Sequence, residues 1–217
     1  MSTKNTNTTE IQMSSNVHIG EEQIIQIVVS EIEERLIAKK TELTKEVTDL
    51  CSQIKRLTDK ILKDCFDYTE KKYSKETTTL IKALDSFTGV KHVANYAAAV
   101  MKDFDTGATM LDICVGIKSD KYNTHIKKSE KLPVPASIKK DMDMQGNLEK
   151  ELQELSNQLI EVKKNLNDIS RYERRAKAQL ATATISKTTN GAALLKELKA
   201  NVINNDKYLK ALPQVCT

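Results

Sequence analysis

One apolar seam constrains this chain more than any other feature. Leu148, Leu152, Leu155, Leu159, Val162, Leu166, Ile169, Glu173, Ala176, Leu180 and Ala183 follow one another at alternating steps of four and three, with Glu173 the one polar member. Side chains at that spacing line one edge of an α-helix, and a seam kept up for 36 residues needs a helical partner to cover it. A second seam precedes it: Leu36, Lys40, Leu43, Val47, Leu50, Ile54, Leu57 and Ile61 alternate in the same way, with Lys40 polar. Upstream, Ile25, Val29, Ile32 and Leu36 make another stripe, whose phase slips near Lys40 as a stutter would make it.

The two seams predict a mainly α fold: a long antiparallel helical hairpin, or coiled coil, with a small α+β head inserted at its tip and a C-terminal helix packed at its base. The expected divisions are a polar flexible tail over 1–19, a first coiled-coil arm over 20–72 and a helix plus β-hairpin head over 73–137. A second arm follows over 138–186, then a C-terminal helix and tail over 187–217. Charge agrees with a chain that folds back on itself. Residues 21–37 carry five Glu against Arg35, and residues 171–187 carry five basic residues against Glu173. An antiparallel hairpin lays those segments side by side, with paired residue numbers summing to roughly 206–208.

The start of arm one is apolar almost all round. Ile24, Ile25, Ile27, Val28, Val29 and Ile32 offer more apolar surface than one partner helix can cover, while Ala176, Ala178, Ala181 and Ala183 at the matching end of arm two are small. Leu195, Leu198, Val202, Leu209 and Leu212, ahead of Pro213, form a further stripe, expected to pack there as a third helix. Failing that, a second chain covers this base, so Ile24, Ile25, Ile27, Val28, Val29 and Ile32 are the candidate self-association residues.

The insert is patterned differently. Leu80, Ile81, Leu84 and Phe87 either extend arm one or form a short helix ending near Gly89. Val90, Val93, Ala97, Val100, Met101 and Phe104 read as an amphipathic helix closed by Gly107. Leu111, Ile113, Val115 and Ile117 alternate with Asp112, Cys114 and Gly116, the period of a strand, and Thr124–Lys128 is its returning partner. Pro133 and Pro135 end the sheet, and Ser137 is placed to cap arm two. Seven Lys between 118 and 140 stand against Asp120 and Glu130. Lys118, Lys121, Tyr122, Lys127, Lys128 and Lys131 are therefore candidate partner-binding residues for an acidic surface. The plainer reading is a hairpin edge that lysines guard against pairing with other chains. This loop holds no Arg and one aromatic residue, Tyr122, which argues against a dedicated single-strand platform.

Composition and motifs mostly exclude. Among 217 residues, 6 Gly, 3 Pro, 6 Tyr, 3 Phe and no Trp are too few turn formers and large aromatics for a sandwich, a barrel or a compact α/β enzyme core. A net charge of +4, from 34 basic and 30 acidic residues, neither demands nor excludes a nucleic-acid partner. None of Gly20, Gly89, Gly107, Gly116, Gly146 or Gly191 belongs to a phosphate-cradling loop or a nucleophile elbow. Cys51, Cys65, Cys114 and Cys216 form no CxxC pair. Cys51 and Cys65, on one helix, stand roughly 21 Å apart, beyond disulfide reach. His18, His92 and His125 are scattered away from metal-ligand spacing. No catalytic residue, cofactor or metal is expected, and the chain is not read as an enzyme. The polar N-terminus does not read as a signal peptide, and Lys102, Asp103, Asp105 and Asp112 interrupt the apolar stretch from Val93 to Ile117, so the expected location is the cytoplasm or a virion.

These features predict a non-enzymatic structural or interaction protein, a coiled-coil stalk presenting a small head. It would associate with itself as a homo-oligomer, or with a larger protein partner. The lean toward Lys, Asn, Ile and Thr suits an AT-rich genome and a viral or phage assembly component. Two other classes compete. A helical bundle with an apolar β-tongue at 111–117 is similar in outline to α-helical pore-forming toxins, which implies a membrane-acting protein, against the charges just named. The basic head loop suits a nucleic-acid or polymerase-associated factor. Helix–β-hairpin–helix order is also similar to that of prefoldin-type chaperone subunits, whose paired helices project as tentacles, although the insert here is much larger.

Overall fold

No glycine or proline falls between Gly20 and Gly89, and helix α1 fills that interval, Glu21–Thr88. The computed structural model describes residues 20–103, 106–119, 126–182 and 191–214, of which 74% are helical. The tail expected over 1–19 lies outside the described residues. Both ends of α1 are set by local chemistry. Gln23 accepts the Gly20 N–H at 3.1 Å, in the manner of a capping box. At the other end Gly89 takes φ +66° and closes the last turn onto the Asp85 carbonyl at 2.9 Å. Residues 73–88 thus continue the first arm, and the helix expected at 90–104 does not form.

That segment is strand β1, His92–Lys102. It pairs antiparallel with β2, Thr109–Ser119, which pairs antiparallel with β3, Ile126–Pro133, in the order β1-β2-β3. The correction has a physical cause. Four alanines and an i, i+3, i+4 pattern favour a helix locally, but β2 needs a neighbour along its whole length, and β1 pairs with it residue for residue from His92–Ser119 to Lys102–Thr109. The head is therefore a three-stranded meander against the continuing α1, and the returning strand is longer and later than the expected Thr124–Lys128. Asp103 and Gly107 build the β1–β2 turn. The Asp103 carboxylate accepts from the Thr106 N–H and hydroxyl at 3.0 Å each, and Gly107 adopts φ +67°.

After Pro135, α2 runs Ala136–Asn167 and α3 runs Ile169–Thr182. Ser137 lies within the first turn of α2 and is not its cap, since Lys139 N–H already bonds the Pro135 carbonyl at 2.9 Å. The second arm is interrupted at Asp168, in a run of poor helix formers that includes Asn165 and Asn167. Then come α4, Gly191–Lys199, a π-helical turn, Ala200–Asn204, and α5, Lys207–Lys210. Three pieces stand where one C-terminal helix was expected.

The chain divides into two compact units: residues 45–156, and residues up to 44 with those from 157 on. In the first, Ile61, Cys65 and Tyr73 of α1, Leu111, Ile113 and Val115 of β2, and Ile138 of α2 form the core. Here α1 and α2 touch in antiparallel order, Gln145 donating to Thr58 at 3.2 Å and Lys60 to Asp141 at 2.5 Å. These pairs come to 203 and 201, a few short of the expected 206–208.

In the other unit Ile24, Val28, Ile32, Leu36, Val162, Ala176, Leu198, Val202, Ile203 and Leu209 are buried. The expected charge pairing between 21–37 and 171–187 is largely replaced by other partners among the described residues. Glu31 binds Arg35 and Lys199, each at 2.6 Å, Arg175 binds Asp206 at 2.6 Å, and Lys177 binds Glu173 at 2.6 Å, with Glu22 adding to the field at Lys177. Asp206 also caps α5, accepting from Tyr208 and Leu209 N–H at 3.0 and 3.2 Å. Burial would raise its pKa, but those N–H groups and Arg175 together hold it below the ordinary value. Asp206→Ala is expected to cost about 1–2 kcal/mol in thermal unfolding. Because the folded-state pKa is depressed, that contribution is present above the unfolded pKa and fades as pH falls through the folded one, so variant and parent should converge in acid.

Candidate interaction surface

The three strands present two unlike faces. Val100, Leu111 and Leu132 lie in one row across the sheet, Ala98, Ile113 and Glu130 in the next, then Tyr96, Val115 and Lys128. This inner face packs on α1, whose buried positions Ile61, Cys65, Thr69, Tyr73 and Thr77 recur at steps of four. Such a stripe drifts about 40° per step around the helix. The two threonines are accommodated because each hydroxyl donates to the carbonyl four residues back, Thr69 to Cys65 at 2.8 Å and Thr77 to Tyr73 at 3.0 Å. The Thr77 hydroxyl also meets the Tyr96 hydroxyl at 2.6 Å, and the Tyr96 ring stands edge-on to Phe66, centroids 6.2 Å apart.

Tyr73 is the hub between α1 and β3. Its phenol donates to the Glu130 carboxylate, and the ammonium groups of Lys128 and Lys72 lie 5.0 and 5.4 Å from its ring centroid. Burial, and then the hydrogen bond and charge of Glu130, push the Tyr73 pKa up to about 12. Glu130 moves the other way: the Tyr73 hydrogen bond outweighs desolvation and, with Lys72 and Lys128, holds its carboxyl below the ordinary value. Beside this cluster, Glu76, Thr77, Leu80, Val115 and Ile117 help line a cavity of about 90 Å³. Sequence reasoning missed Tyr73, Tyr96 and Glu130. The available signal was the continuation of the Ile61 seam through Cys65, Thr69, Tyr73 and Thr77, obscured because two of its members are polar.

Of the candidate lysines, Lys118 is exposed on β2 and Lys128 and Lys131 are exposed on β3. Lys128 lies 3.9 Å from Glu76 and Lys131 lies 3.3 Å from Asp103, so part of the basic run is balanced within the chain. Lys121, Tyr122 and the Lys127 side chain lie outside the described residues. Of the candidate self-association residues, Ile24, Ile25, Val28 and Ile32 are buried by the chain itself, Val29 is half-buried, and Ile27 remains 39% exposed. Among the described cysteines Cys51 is exposed, Cys114 half-buried and Cys65 buried, and burial pushes the Cys65 thiol pKa up.

Among the described residues, no group of three or more His, Cys, Asp or Glu side chains is gathered to hold a metal ion. No helix among them is long and apolar enough to cross a membrane. His92 is buried, with Nδ1 2.9 Å from an Asp85 carboxylate oxygen that also accepts the His92 N–H at 2.9 Å. No family model, curated protein or solved structure matches the chain.

Proposed function

We propose that this chain is a non-enzymatic structural or interaction protein. Its antiparallel coiled-coil hairpin, α1 against α2 and α3, carries the β-sheet head, and it assembles with copies of itself or with a larger partner. One observation carries the reading. All ten described positions of the seam from Leu148 to Leu180 are buried or half-buried, Glu173 included, as a coiled-coil seam requires. The antiparallel contacts of Thr58 with Gln145 and of Lys60 with Asp141 support it. A nucleic-acid role for the basic strand is the weaker reading, since Lys128 and Lys131 have acidic neighbours of their own. Sedimentation velocity over a hundredfold concentration range tests the proposal. A slowly sedimenting, elongated 24.4 kDa species or a discrete oligomer is the expected result; a compact, globular monomer throughout would overturn it.

A further inference from the structure

The two outer edges of the sheet are built differently. β3 is eight residues long and carries Lys127, Lys128, Lys131 and a terminal Pro133, the devices by which natural edge strands avoid pairing with other chains. β1 carries a single lysine, at its last position, Lys102, and no proline. It is eleven residues long, HVANYAAAVMK, with no charge from Val93 to Met101, and its pairing with β2 runs without a bulge.

The direction of its free main-chain groups follows from its two ends. His92 N–H turns away from β2 to the Asp85 carboxylate, and Asp103 N–H, one residue beyond the strand, bonds the Ala108 carbonyl at 2.8 Å. In an antiparallel ladder such roles alternate. The odd-numbered residues therefore bond β2, and the N–H and C=O groups of Ala94, Tyr96, Ala98 and Val100 point off the open edge. Among the described residues nothing bonds them there. Beside that edge, Phe66, 42% exposed, rests against Tyr96.

We propose that this edge pairs with β1 of a second copy about a two-fold axis at Ala97, joining two three-stranded sheets into one of six. The strand is complementary to itself in this register. Ala94 falls opposite Val100, Tyr96 opposite the smaller Ala98, and Ala97 opposite its own copy. Even residues meet even residues, so every free N–H and C=O finds a partner, in about eight intermolecular bonds, and the α1-facing side of one sheet continues into that of the other. The ends match in charge: Lys102 comes opposite His92, whose bonded Asp85 carboxylate is 36% exposed on that same side. The proposal deepens the assembly reading by naming the partner, and it rests on that reading.

The test is sedimentation of the full chain and three variants. The parent should dimerise. Ala97→Lys and Ala97→Glu, changes at an exposed position, each place like charges face to face and should weaken the dimer roughly fivefold. A one-to-one mixture of the two should restore it. Ala98→Pro removes an N–H that points off the edge while adding ring atoms to a half-buried position, and where the strand accepts it the result should be a monomer with the parent's circular dichroism. If Ala98→Pro misfolds, the charge pair decides alone. A parent that stays monomeric at every concentration overturns the edge pairing and leaves a larger partner for the assembly reading. A dimer indifferent to both charges also overturns it and moves self-association elsewhere on the chain, with the assembly reading intact.

Discussion

Leu111→Ala is expected to destabilise the unit over 45–156 by about 2–5 kcal/mol. Leu111 is fully buried in the row between Val100 and Leu132, within the cluster that joins the sheet to Ile61, Cys65 and Tyr73 of α1 and to Ile138 of α2. The deleted methyl groups leave a void that the surrounding β-branched residues fill only in part, because strand pairing on both sides fixes the main chain of β2. Leu111→Met keeps the volume and should cost less than about 1.5 kcal/mol. Urea unfolding followed by tyrosine fluorescence is a suitable measurement, since the chain has 6 Tyr and no Trp. A loss well under 1 kcal/mol for Leu111→Ala would mean that the sheet is not tightly seated on its helix.

The second large effect is expected at Tyr73. Tyr73→Phe removes the donor to Glu130, and the loss should be about 1–2 kcal/mol, at the lower end for a charge-assisted bond because Glu130 keeps access to water. The pH dependence distinguishes this bond from simple packing. Tyr73 has a folded-state pKa raised to about 12, so its contribution is complete below the unfolded value near 10 and is lost as the pH rises toward 12. Glu130 has a lowered folded-state pKa, so the same bond also fades in acid, as the pH falls through that depressed value. The stability gap between the parent and Tyr73→Phe should be widest near neutrality and close at both extremes. An ultraviolet titration should show the latest tyrosinate step in the parent and not in the variant. A gap that is constant with pH would assign Tyr73 to packing alone.

How legible these features were depends on which interactions decide them. The helices declare themselves locally. The interval between Gly20 and Gly89, the heptads from Leu148 and the stripe from Leu195 to Leu212 each mark a helical region through residues that lie close in sequence. β2 was legible too, because its inner face alternates without exception. β1 was not. Its alanines and its spacing of Val93, Ala97 and Val100 suit a helix, and only the unmet pairing of β2 overrides them. An isolated two-stranded hairpin is marginal in water, so β2, flanked on both sides, was itself a hint that a third strand existed.

Side-chain partners were less legible still. Opposite charges at 21–37 and 171–187 suggested each other, but electrostatics alone does not choose among several oppositely charged candidates. Glu31 is met by Arg35 one turn away and by Lys199, and Arg175 is met by the cap of α5. The Tyr73–Glu130 bond joins residues 57 apart and follows from the register of β3 on β2, which sequence periodicity leaves open.

The order in which the two cores are completed has a consequence for biosynthesis. Everything in the Tyr73 cluster lies between Ile61 and Ile138, so that core has all its parts soon after α2 begins to leave the ribosome. The apolar stripe of Ile24, Val28, Ile32 and Leu36 is made before either core is complete, and its unit also draws on Val202, Ile203 and Leu209. At translation rates of about 5–20 residues per second, that stripe waits roughly ten to thirty-five seconds for them. During that interval a nascent chain exposes that apolar helix face, so chaperone demand should fall on residues 24–36 well before residues 202–209 have appeared.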